Sequence, residues 1–154
     1  MAVLSLPKTK NSFMFKRQLL SILTIFILFS SCTSDDDPRD NYPQNRDISM
    51  SVSSTDDERM SDITFSINGS GIEISDFSSS DSHLPFSRNY INKTIPFLTL
   101  LNITYRDNSG GPVGAPFEPY KITLKIRVDS ETKAEKEVTI TESGTVDYIE
   151  FSFK

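Results

Sequence analysis

Tyr120-Lys121-Ile122-Thr123-Leu124-Lys125-Ile126-Arg127-Val128 alternates without a break. Tyr120, Ile122, Leu124, Ile126 and Val128 fall on one side, and Lys121, Thr123, Lys125 and Arg127 on the other. A period of two belongs to a strand with one face in a core and one in water. The same pattern recurs on both sides of this stretch. Ile63, Phe65 and Ile67 alternate, as do Ile72 and Ile74, with Asn68-Gly69-Ser70-Gly71 between them as a hairpin loop. Val138-Thr139-Ile140 and Ile149-Glu150-Phe151-Ser152-Phe153 supply two more strands, and Ile48, Met50 and Val52 a weaker first one. Ile95 to Tyr105 also reads as one strand, with Ile95, Phe97, Thr99, Leu101, Ile103 and Tyr105 on its core face.

No window carries a helical period. Ser130 to Glu137 contains helix-forming residues but no apolar stripe, and reads as a turn between strands, with Asp129 to Lys133 as a hairpin connection. Asp76 to Asn89 is Ser-rich and polar around Leu84-Pro85-Phe86, and reads as a long connection. Asp107 to Pro119, with three Gly and three Pro, reads as a loop. The expected fold is therefore all-β: a single Ig-like, Greek-key β-sandwich of about seven strands over residues 48–154. A lipocalin-like barrel is the alternative.

The chain ahead of that domain has a different character. Lys16-Arg17 leads into the apolar run Leu19 to Phe29, which ends in Ser30-Ser31-Cys32. As a helix those eleven residues reach only about 16 Å, against a bilayer core of roughly 30 Å. The order of cations, short apolar run and small residues is that of a cleaved secretory signal, residues 1–31. Met14 gives a more compact signal than Met1 and is the expected true start. Cys32 directly after the cleavage site resembles the lipobox cysteine of bacterial lipoproteins, with Phe29 where Leu is commoner. The resemblance implies covalent lipid on Cys32. Residues 32–47 are then an acidic flexible tether, since Thr33 to Asp47 carries five Asp and almost nothing to bury. Ser34-Asp35-Asp36-Asp37 resembles the surface-export signal of Bacteroidota lipoproteins, which implies the outer membrane and display at the cell surface.

Removal of Lys8, Lys10, Lys16 and Arg17 with the signal leaves 12 basic and 21 acidic residues, a side-chain charge of −9. Such a chain repels nucleic acid phosphates and anionic headgroups. Cys32 is the sole cysteine, so no disulfide supports the domain, and roughly 105 residues must supply an ordinary apolar core.

Within the domain, Ile63-Thr64-Phe65-Ser66-Ile67-Asn68-Gly69-Ser70, Ile72-Glu73-Ile74, Leu84-Pro85-Phe86-Ser87 and Lys121 to Asp129 occur in an order that resembles the MmpS-like β-sandwich proteins. The likeness covers Ile63 to Ile140. Phe86 stands where the family usually has Trp, and the loop from Asp107 to Pro119 is long for it. The resemblance implies a sandwich fold and a role as a membrane-anchored accessory to an exporter.

Catalytic chemistry is not legible. His83 is the only histidine and lies among loop serines, Ser78 to Ser80 and Ser82, so no nucleophile–base pair can be drawn. One His and no second Cys exclude zinc-ligand spacing, Asp35-Asp36-Asp37 lacks the spaced glycine-turn pattern of a calcium loop, and Asp56-Asp57-Glu58 reads as a solvated acidic cluster in a Ser/Thr-rich turn. The expectation is a non-catalytic module with no cofactor beyond its lipid, held to the membrane by Cys32 and contacting a protein partner in the cell envelope. A carrier of a small apolar ligand is the alternative. Leu98 and Leu100 stand on the face of their strand opposite the core: either Pro96 marks an edge, bulge or kink there and a loop covers them, or they form a partner-binding patch.

Overall fold

The computed structural model describes residues 37–79, 83–110 and 116–154. The chain divides into residues 1–36 and the unit Asp37–Lys154. The signal, Cys32, Ser34, Asp35 and Asp36 lie outside the described residues.

The unit is a β-sandwich, with eight strands among the described residues: β1 Gln44–Ser54, β2 Ser61–Gly69, β3 Ile72–Ser78, β4 Phe86–Ile95, β5 Leu100–Asp107, β6 Tyr120–Val128, β7 Glu131–Ile140 and β8 Val146–Ser152. They form two antiparallel sheets, in the orders β4-β1-β6-β7 and β3-β2-β5-β8. Only β2-β3 and β6-β7 are hairpins between sequence neighbours; every other connection crosses between sheets. The alternating residues of β6 and β2 all face inward, where Met50, Phe65, Leu101, Ile103, Leu124 and Ile126 are fully buried. Phe65 stacks on Phe86 across the two sheets, ring centroids 5.4 Å apart.

The structure departs from the sequence reading in four places. The strand read from Ile95 to Tyr105 is two strands: β4 ends at Ile95, residues 96–99 turn, and β5 begins at Leu100. Leu98 adopts φ +61° in that turn, and Thr99 folds inward, its Oγ1 donating to the Pro96 carbonyl at 2.8 Å. The connection read from Asp76 to Asn89 is shorter, residues 79–85: β3 runs on to Ser78, and β4 starts at Phe86, an edge strand whose alternation is blurred by a register shift opposite Arg46 and Ile48. Residues read as a turn after Ser130 belong to β7, also an edge strand, whose charged residues face water and Lys121 and Lys125 of β6. The hairpin between β6 and β7 is only Asp129-Ser130, both at positive φ (49° and 70°), as a two-residue turn of this hand requires. Finally, ordered structure starts ahead of Ile48. The Asp37 carboxylate caps the 3-10 turn Pro38–Asn41 by accepting from the Arg39 N–H at 3.0 Å, and Tyr42 meets Phe97 edge-on.

Candidate functional site

Antiparallel pairing fixes which connections share an end. The start of β1, the turns 70–71, 96–99 and 129–130, and the end of β8 lie together. The ends of β1, β3, β5 and β7 and the starts of β2, β4, β6 and β8 gather at the opposite end, so connections 55–60, 79–85, 108–119 and 141–145 begin and finish there. The first group has turns of 2 to 4 residues; the second has loops of 5 to 12. The sandwich thus has a turn end and a loop end.

A buried polar cluster underlies the loops. Asp107 closes β5 on the same inward register as Leu101, Ile103 and Tyr105, so alternation drives a carboxylate to 0 % exposure at the rim of the core. A charge buried there must be hydrogen-bonded. Tyr120 Oη donates to Asp107 Oδ1 at 2.6 Å, and Ser109 Oγ donates to the same oxygen. Because Tyr120 commits its proton to the carboxylate, Tyr105 Oη donates to the Tyr120 oxygen. Ser61, opposite Asp107 in the β2-β5 register, is fully buried near the Tyr105 hydroxyl, without a hydrogen bond of ordinary geometry. Burial pushes the Tyr105 phenol up to about 12, and the hydrogen bond shared with Tyr120 opposes the shift. Tyr120 is raised further, by burial first and then by its bond to Asp107.

The cluster ties three loops together. The Asp107 N–H donates to the Thr145 carbonyl at 2.9 Å, and the Gly144 N–H returns to the Asp107 carbonyl at 3.1 Å. Asn108 N–H reaches the Met60 carbonyl at 2.9 Å. Arg59 lies over the rings of Phe117 and Tyr120, 5.3 and 5.0 Å from their centroids. Its Nε donates to Asp56 Oδ2 at 2.7 Å and a terminal nitrogen donates to the Glu118 carbonyl at 3.2 Å. Asp56, Glu58, Arg59, Met60, Ser109 and Gly110 line a groove of about 410 Å³. Asp57, Glu58, Glu118 and Glu142 are exposed around it. With Arg59 held by Asp56, the rim is acidic.

The residues singled out in the sequence scatter. Asp37 caps the turn described above, while the other three export-signal residues and Cys32 fall outside the described residues. Leu98 is 59 % exposed in the 96–99 turn, and Leu100 is half-buried on the outer face of its sheet between Asn68 and Ser152. His83 is exposed on the 79–85 connection. Among the described residues no three His, Cys, Asp or Glu side chains converge as metal ligands. Asp107, Tyr120 and Arg59 went unread, although an acid in phase with Leu101, Ile103 and Tyr105 was a visible signal.

Fold and site together define a β-sandwich module that gathers its longer loops, stapled from beneath, at one end. The chain matches no model of a known protein family and no curated protein.

Proposed function

We propose that the chain is a non-catalytic, lipid-anchored protein of the bacterial outer membrane, displayed at the cell surface, whose loop end contacts a protein partner. One observation carries this: the chain enters β1 at the turn end, and all four longer connections lie at the other. A tether leading to Cys32 joins the domain at the end opposite its longer connections, which leaves the loop end open to a partner. The acidic rim of Asp57, Glu58, Glu118 and Glu142 favours a partner with a basic surface, with association that weakens as salt rises. The exporter-accessory form of this reading rests on the MmpS-like resemblance alone. The ligand-carrier reading gains no support from the fully buried inner faces, or from the groove of about 540 Å³ at the turn end, which Arg46, Asp129, Glu131 and Lys133 help to line.

Radiolabelled palmitate tests the anchor: the wild type takes label, and Cys32→Ser takes none and leaves the membrane fraction. An unlabelled wild type contradicts the anchor. Changing Asp35, Asp36 and Asp37 to Ala tests display, because the variant then resists protease added to intact cells. Digestion equal to wild type contradicts the export signal.

A further inference from the structure

We propose that the outer face of the β3-β2-β5-β8 sheet is a binding platform for a neutral polysaccharide. Strand register places Phe77, Thr64, Thr104 and Tyr148 in one row across the four strands. The adjacent row is Ser75, Ser66, Asn102 and Glu150. Phe77 is 64 % exposed and Tyr148 58 %, and they are the two most exposed aromatic rings among the described residues. Both lie in the same row, on opposite edge strands. Three strand spacings of ~4.8 Å set them about 14 Å apart, the span of about three sugar rings.

The chemistry between the rings is hydroxyl and amide. Thr104 Oγ1 donates to Asn102 Oδ1 at 2.9 Å, and Asn102 Nδ2 donates to Glu150 Oε1 at 3.3 Å, so this chain of groups is oriented before any ligand arrives. A pyranose offers a C–H face to an aromatic ring and hydroxyl edges to amides, hydroxyls and carboxylates. A chain of such units suits two rings with a polar row between them. Charge narrows the class. The face carries Asp62, Glu73 and Glu150 against Arg106, which disfavours a polyanion. A protein hot spot calls for a contiguous apolar centre, and here the centre is polar. The outer face of the other sheet lacks these features: Lys121 pairs with Glu137 at 2.6 Å and Lys125 with Glu135 at 2.8 Å.

Affinity electrophoresis of the full chain, solubilised in mild detergent from expressing cells, tests the proposal. The gels contain a β-glucan, a xylan, a mannan or an amylose, with polygalacturonate as the anionic comparison. At least one neutral gel should retard the protein, and polygalacturonate should not. Phe77→Ala and Tyr148→Ala should each weaken retardation about tenfold, as loss of a central aromatic contact does. The double variant should migrate as in a gel without sugar, while Tyr148→Phe, which keeps the ring, stays retarded. Thermal melting of all variants should match wild type, since both rings are exposed. Absence of retardation in every neutral gel, or a double variant retarded like wild type, overturns the proposal. So does a double variant that merely converts a dimer to a monomer, which would make this face a contact between copies.

Discussion

At the turn end, Asp129-Ser130 closes β6 on β7 in two residues, and Ser70-Gly71 closes β2 on β3 in two more. Side chains there act locally or at the surface: Asp129 accepts from the Asp47 N–H at 3.0 Å and from Arg46 at 2.5 Å, both in contact with water. The loop end has no such local solution. Its loops of 5 to 12 residues are held by Asp107, Tyr120 and Tyr105, which lie beneath them and belong to β5 and β6. Short turns fix their own geometry through backbone preference. Longer loops take theirs from a buried polar network, and such a network is worth most when every member is satisfied.

The largest effect expected from this contrast is at Asp107. Asp107→Ala strips a buried acceptor from Tyr120, Ser109 and the Gly144 N–H, and should lower stability by on the order of 3 kcal/mol in chemical denaturation. Loss below about 1 kcal/mol would mean that the cluster is no staple.

Gly69→Ala probes the turn end at its tightest point. A Cβ on Gly69 would collide with Thr99 Oγ1, which is buried and bonded to the Pro96 carbonyl. Overpacking of this kind costs roughly 1–3 kcal/mol. Pairing it with Thr99→Ser, which keeps the hydroxyl but removes a methyl, should recover little; full recovery would place the clash elsewhere.

Tyr120→Phe removes one donor from the carboxylate and should cost roughly 1–1.5 kcal/mol. Alkali reaches the same cluster without mutation. A phenol whose folded pKa is raised stabilises the fold below its unfolded value of 10.0 and loses that contribution as pH climbs toward about 12. Amide exchange at Asn108 and Gly144 should therefore accelerate across that window before exchange at the 129–130 turn does. Simultaneous acceleration would deny the cluster its local role.

The smallest effect belongs to Asp129. Its carboxyl is held below the ordinary 3.8 by the Asp47 N–H first and Arg46 second, so its contribution is present above that pH and fades as acid is added. The pair with Arg46 is solvent-exposed, so Asp129→Ala should cost less than about 1 kcal/mol. A loss as large as that of Asp107→Ala would erase the difference between the ends.

The division also explains what the sequence disclosed. β2 and β6 are central strands with one wet face, so their alternation is clean, and the sandwich follows from them. β4 and β7 are edge strands; they bury few side chains, and Arg88 or Lys136 can stand on their inner register at the open margin. Their residues therefore looked like loop. Ile95 to Tyr105 kept an apolar alternation through a turn because Thr99 tucks inward where a strand residue would. The loop end was the least legible part. Asp107 and Tyr120 lie 13 residues apart, and Arg59 meets Tyr120 from the 55–60 connection, so beyond the inward phase of Asp107 no spacing announces them.

The most direct test of the central claim is photo-crosslinking in intact cells from Met60, at the loop end, and from Leu98, at the turn end. A photoreactive phenylalanine analogue at Met60, 39 % exposed, should give a discrete protein adduct that fades as salt rises. The same analogue at Leu98 should give none. An adduct from Leu98 with none from Met60 would contradict the account.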